Sequence, residues 1–183
     1  MLLQRLFAPP AAQAPGRALY AAAALQARRP EFYRAFVVAD TVEGRFELYS
    51  LHVALVLIRL KGRGQFAAET AQHLFDAYVR ALDDALREMG VSDVTVGKKM
   101  RKLGQAFYGR LKAYEDAIEH LPEAGELKAL VLRTALEGQP DPAGERLAAY
   151  VARAASALDA QSLEDLLQGR VTWPDVTLEP PHG

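Results

Sequence analysis

The segment from Thr41 to Lys61 constrains this chain more than any other. Phe46, Leu48, Tyr49, Leu51, Val53, Leu55, Val56, Leu57, Ile58 and Leu60 crowd into it, with few polar residues between them. Wound as a helix, these side chains cover most of the circumference, and a helix apolar on nearly all sides belongs at the centre of a core. It is not a membrane span. Its strongest apolar run, Val53 to Ile58, is closed off by His52 and Arg59, far short of the ~20 residues a bilayer core requires. A central helix needs neighbours that each offer one apolar face.

The rest of the chain supplies them. Spacing predicts a helix from Gly16 to Arg29, stopped by Pro30 and followed by an aromatic turn at Phe32, Tyr33 and Phe36. Asp40 and Thr41 offer side-chain oxygens to cap the central helix, and Gly62 and Gly64 end it. Ala67, Ala71, Leu74, Tyr78, Leu82, Ala85 and Met89 recur at three and four, so a helix from Phe66 to Met89 has one apolar side. Gly90 suits a left-handed stop, with Val91 folding back on Leu86. Beyond Ser92, Asp93 or Thr95 as cap, a helix to Leu121 buries Val96, Met100, Leu103, Phe107, Leu111, Tyr114 and Ile118. Pro122 opens a shorter helix ending near Gly138. A loop over 139–143 leads to a last helix from Gly144 to Leu167 and an extended tail around Trp173. No alternating strand pattern competes. The expectation is all-α: one domain over 1–183, a bundle of about six to seven helices around the central helix at about 41–61, with an acidic C-terminal helix and tail at about 142–183.

Composition excludes several function classes. The chain has no cysteine, which removes disulfide scaffolds, thiolate metal sites, iron–sulfur clusters and a cysteine nucleophile. Lys and Arg number 22 against 23 Asp and Glu, so a coat of positive charge for DNA is not expected. The balance hides segregation. Residues 1–64 carry net +5, 65–90 net −3, 91–114 net +5 and 115–183 net −8. A basic middle and an acidic C-terminal third suit mutual attraction or two partners. Met1 to Arg29 holds four arginines and no acid, a composition similar to a transit peptide. Pro9, Pro10 and Pro15 interrupt it, and Tyr20, Leu25 and Phe32 read as core, so a structural N-terminal helix is expected. Met1 to Phe7 offers a short contact to a membrane surface.

Two polar constellations stand out. Lys98, Arg101, Lys102 and Lys112 share one broad helical face, with Gln105 and Tyr108 between them and Lys99 and Arg110 flanking. Positive charge near a helix N-terminus opposes the macrodipole, which argues for an external use: ribosomal RNA, anionic lipid or an acidic protein loop. A plain solvated face is the alternative. Arg45, His52 and Arg59 lie seven apart on one side of the central helix. A buried basic group needs a partner, and Asp83, Asp84 and Glu88, with Arg87 among them, are expected to supply it in a structural polar network.

Metal and catalytic roles find no pattern. The four histidines, His52, His73, His120 and His182, form no Glu-x-x-His pair. Glu69 with His73 and Asp116 with His120 have the spacing of ordinary helix neighbours. Asp83 and Asp84 are adjacent, point roughly 100° apart and make no acid/base pair. No Walker loop or Gly-x-Ser-x-Gly occurs. Neither a catalytic residue, a metal nor a cofactor is expected. Gly109, inside a helix, suggests a close helix crossing within the chain, with a partner-helix contact as the alternative.

Several stretches are recognisable. Arg28-Arg29-Pro30-Glu31-Phe32-Tyr33, Asp40-Thr41-Val42-Glu43-Gly44-Arg45-Phe46 and Leu51-His52 open the likeness. It strengthens from Asp83 through Leu86-Arg87-Glu88-Met89-Gly90-Val91-Ser92-Asp93 to Val96-Gly97-Lys98-Lys99-Met100. Phe107-Tyr108-Gly109-Arg110, Tyr114 and Leu167-Gln168-Gly169-Arg170 follow. Together they resemble the ubiquinol–cytochrome c chaperone family over about 18–135, departing at Ser92, where glycine is expected in many members. The resemblance implies a non-enzymatic helper in assembly of the respiratory ubiquinol–cytochrome c reductase, with newly made cytochrome b as client. It also implies contact with the ribosome, a small partner protein in mitochondrial relatives, and, for a bacterial-type member, a place in the cytoplasm or at the inner face of the membrane (the matrix in a eukaryote). Two other readings stay open: a haem carrier or small enzyme using His52 or Met89, and a general ribosome-binding module.

Overall fold

The computed structural model describes residues 10–137, 139 and 141–176. Met1 to Phe7 and His182 lie outside the described residues. The fold is all-α. Its helices are α1 (Gln13–Ala27), α2 (Pro30–Arg34), α3 (Val42–Leu60), α4 (Gln65–Glu88), α5 (Asp93–Glu119), α6 (Gly125–Arg133), α7 (Asp141–Ala160) and α8 (Leu163–Leu167).

The apolar helix is central, as its pattern demands. α3 packs against α1, α4, α5 and α7, and Leu51 to Val56 are buried without a break. Its N-terminus is fixed by Thr41, whose Oγ1 accepts the Gly44 N–H at 3.1 Å, and Gly62 (φ +71°) and Gly64 (φ +96°) turn the chain out of it. Between α4 and α5 the expected reversal is present. Gly90 has φ +78°, its N–H bonds to the Arg87 carbonyl, and the Val91 N–H reaches back to the Leu86 carbonyl at 3.0 Å.

Elsewhere local signals were overruled. The last long helix is not continuous. It stops at Ala160, and Ser162 starts α8 by accepting the Asp165 N–H on its hydroxyl. The helix expected from Pro122 begins only at Gly125 and ends at Arg133. Leu25, expected in the core, is 72% exposed, whereas Phe32 is fully buried. Gly109 makes no close crossing, since a Cβ there would meet nothing within 4 Å. The close crossing lies at Gly16 of α1, where a Cβ would stand 2.6 Å from His73 Cβ and 2.7 Å from the Thr70 carbonyl oxygen of α4.

Candidate docking site

The expected polar network does not form, because α3 turns its three basic residues to three different places. Arg45 is on the surface, 2.7 Å from Asp40 and over the Tyr33 ring. His52 is fully buried in an aromatic box, with ring centroids 5.3 Å from Phe32, 5.8 Å from Tyr150 and 5.1 Å from Trp173. Arg59 closes the C-terminal end of α7, donating to the carbonyls of Leu158 and Gln161, where cationic donors complement the helix dipole. The acids stay on α4. Asp83 pairs with Arg87 at 2.6 Å, Arg87 also binds Asp93, and Asp84 and Glu88 make no ion pair among the described residues.

His52 illustrates what the buried polar groups do. Its Nδ1 donates to the Leu48 carbonyl at 2.7 Å, so its Nε2 accepts from the Tyr150 hydroxyl at 2.8 Å. Tyr150 in turn accepts from Gln26 Nε2 at 2.9 Å. Burial pushes the imidazole down to about 4, against a smaller opposing effect of the Leu48 bond. It is therefore neutral near pH 7 and has no free nitrogen. Ligating haem iron through His52 would require breaking this chain of hydrogen bonds.

The basic face of α5 divides into two parts. Arg110 forms a bidentate pair with Glu47 of α3, at 2.7 and 3.0 Å, and the side chains keep only 30% and 9% of their exposure. Arg110 is an anchor that holds α5 to the central helix. Lys112 pairs along its own helix with Asp116 at 2.6 Å. Lys98, Lys99, Arg101 and Lys102 are exposed and make no ion pair among the described residues. The acidic α7 packs instead against α3 and α6.

Apolar surface lies further along the same helix. Tyr108 is 58% exposed, its ring 5.6 Å from Phe75 and 6.0 Å from Phe107. Beside it a groove of about 390 Å³ opens between α3, α4 and α5, lined by Leu57, Ile58, Ala71, Phe75, Tyr108 and Leu111. Met89 and Val94, at the α4–α5 reversal, are 50% and 94% exposed. The sequence pattern does not reveal this groove: Leu57, Ala71 and Leu111 read as ordinary core positions, and nothing in the spacing singles out Phe75. Among the described residues no group of three or more His, Asp or Glu is placed to hold a metal ion.

The fold is an all-helical bundle whose α5 carries exposed cations near its start and borders an open apolar groove further along. The chain belongs to the ubiquinol–cytochrome c chaperone family, whose sequence model matches residues 34–173. It is 28% identical over 146 residues to the ubiquinol-cytochrome-c reductase complex assembly factor 1 of Xenopus laevis, covering 78% of this chain and 72% of that one. The mouse and human proteins of that name are each 29% identical over 146 residues, and the chain spans about half their length, 49% and 48%. A crystal structure of the Cbp3 homolog from Brucella abortus matches with a TM-score of 0.84 and 35% identity, over 96% of this chain and 98% of that one. No described helix is long and apolar enough to cross a membrane.

Proposed function

We propose that this chain is a non-enzymatic assembly chaperone for ubiquinol–cytochrome c reductase and that its client is newly made cytochrome b. The observation that carries the reading is that one helix, α5, presents both the exposed Lys98, Lys99, Arg101 and Lys102 near its start and, further along, one wall of the groove at Tyr108 and Leu111. A membrane protein awaiting its complex offers apolar segments and polar loops, and this face has a counterpart for each. Arg110 and Lys112, engaged within the chain, leave the direct contacts to the quartet and Tyr108. Work at the ribosome or at the inner membrane surface accords with the same exposed charge.

The test is made in a strain lacking this gene. Its membranes are expected to lose b-type haem absorbance and ubiquinol–cytochrome c reductase activity together, with cytochrome oxidase unchanged, and the wild-type chain to restore both. Normal reductase in the deletion strain overturns the proposal. A ribosome-binding module without a dedicated client would instead co-sediment with ribosomes whether or not cytochrome b is being made.

A further inference from the structure

Beyond Asp93 in its first turn, α5 is basic toward its N-terminus and acidic toward its C-terminus, the order the helix dipole disfavours. From Val94 to Tyr114 it carries six Lys and Arg and no acid. From Glu115 to Leu127 the chain carries Glu115, Asp116, Glu119, Glu123 and Glu126 and no Lys or Arg. The last turn of the helix contains no basic residue. The helix is a rod ~40 Å long at 1.5 Å per residue, well over the ~10 Å screening length at 0.1 M salt, so its ends act as separate charges.

These charges share one exposed side. At 100° per residue, Lys98, Arg101, Gln105, Gly109, Lys112, Asp116 and Glu119 fall within a single arc of roughly a quarter turn, away from the buried Val96, Phe107 and Tyr114. Lys98, Arg101 and Glu119 have no ion-pair partner among the described residues. Such a face is self-complementary. If a second α5 is laid antiparallel across it with the twofold axis between Tyr108 and Gly109, Lys98 faces Glu119 and Arg101 faces Asp116, and each pair occurs twice. At the axis lies Gly109, whose missing side chain leaves open space and lets a second backbone come close.

We infer that two copies of this chain pair through antiparallel α5 helices, the basic end of each on the acidic end of the other. One helix face is a small interface, so the dimer is weak and salt-sensitive. It covers Lys98 and Arg101 of the quartet assigned above to the client, so self-association and client binding compete, and the pair is a resting form. The pairing itself does not depend on what the client is.

Sedimentation equilibrium of the purified full chain tests this. A monomer–dimer equilibrium is expected at low salt, with the dissociation constant about tenfold higher or more in concentrated salt. Two variants sharpen it. Lys98→Glu with Arg101→Glu makes both ends of the face acidic, and Asp116→Lys with Glu119→Lys makes both ends basic. Each is expected to be monomeric alone, and an equimolar mixture to form a heterodimer. Gly109→Leu, whose Cβ meets nothing within 4 Å in its own chain, is expected to fold normally and stay monomeric. A wild-type chain that is monomeric at low salt, or charge-swapped chains that ignore each other when mixed, overturns the inference.

Discussion

His52 ties residue chemistry to stability. In the folded chain its imidazole is held down to about 4, chiefly by burial, whereas in an unfolded chain it titrates near 6.5. Between those values the unfolded state binds a proton that the native state refuses. The stabilisation is therefore complete above about pH 6.5 and is lost as the pH falls toward 4, by about 2 kcal/mol at pH 5. Urea midpoints at pH 7 and pH 5 check this: the wild type is expected to weaken more on acidification than His52→Gln, and parallel profiles would remove the assignment. Tyr150 completes the network by donating to His52 and accepting from Gln26. Tyr150→Phe strands two buried polar groups at a cost of about 2 kcal/mol. For a chain of this size that is a fall of about 4–8 °C in Tm by calorimetry.

At the scale of elements, two glycines predict opposite outcomes. Gly16 lies where α1 crosses α4, and an added Cβ would press on the Thr70 carbonyl and the Leu74 amide. Gly16→Ala forces backbone apart and is expected to cost about 1–3 kcal/mol. Gly109 is also inside a helix, but nothing faces it, so Gly109→Ala is expected to gain up to about 1 kcal/mol of helix stability. Thermal melts of the two variants on opposite sides of the wild type would check both. In the sequence Gly16 reads as the start of a helix after Pro15 and Gly109 as a residue inside one, and neither pattern shows which of them is crowded. The difference comes from what stands opposite, which is another element's backbone in one case and solvent in the other.

For the whole molecule, the basic face splits into anchor and contact residues, and the two kinds separate by experiment. Arg110→Ala leaves Glu47 buried without its partner and is expected to cost about 3 kcal/mol. Lys98→Glu with Lys102→Glu touches exposed, unpaired side chains and is expected to shift stability by less than about 0.5 kcal/mol, yet to fail to restore reductase in the deletion strain. Denaturation and complementation measured on the same variants check this. A double variant that complements fully would take the quartet out of the client contact.

The sequence by itself determined the helical class, the central place of α3, the Thr41 cap and the Gly90 reversal. Each depends on residues within a few positions of one another, where spacing and side-chain type suffice. The stretch from Leu86 to Lys99 also carries the family likeness in its residues alone. Pairings across the bundle were decided only by the tertiary structure. Arg110 finds Glu47 sixty-three positions away, His52 finds Tyr150 ninety-eight away, and Arg59 reaches the end of α7 rather than the acids of α4. An ion pair or a buried hydrogen bond needs atoms within about 3 Å, and helical periodicity fixes which face a side chain takes but not which helix is packed there.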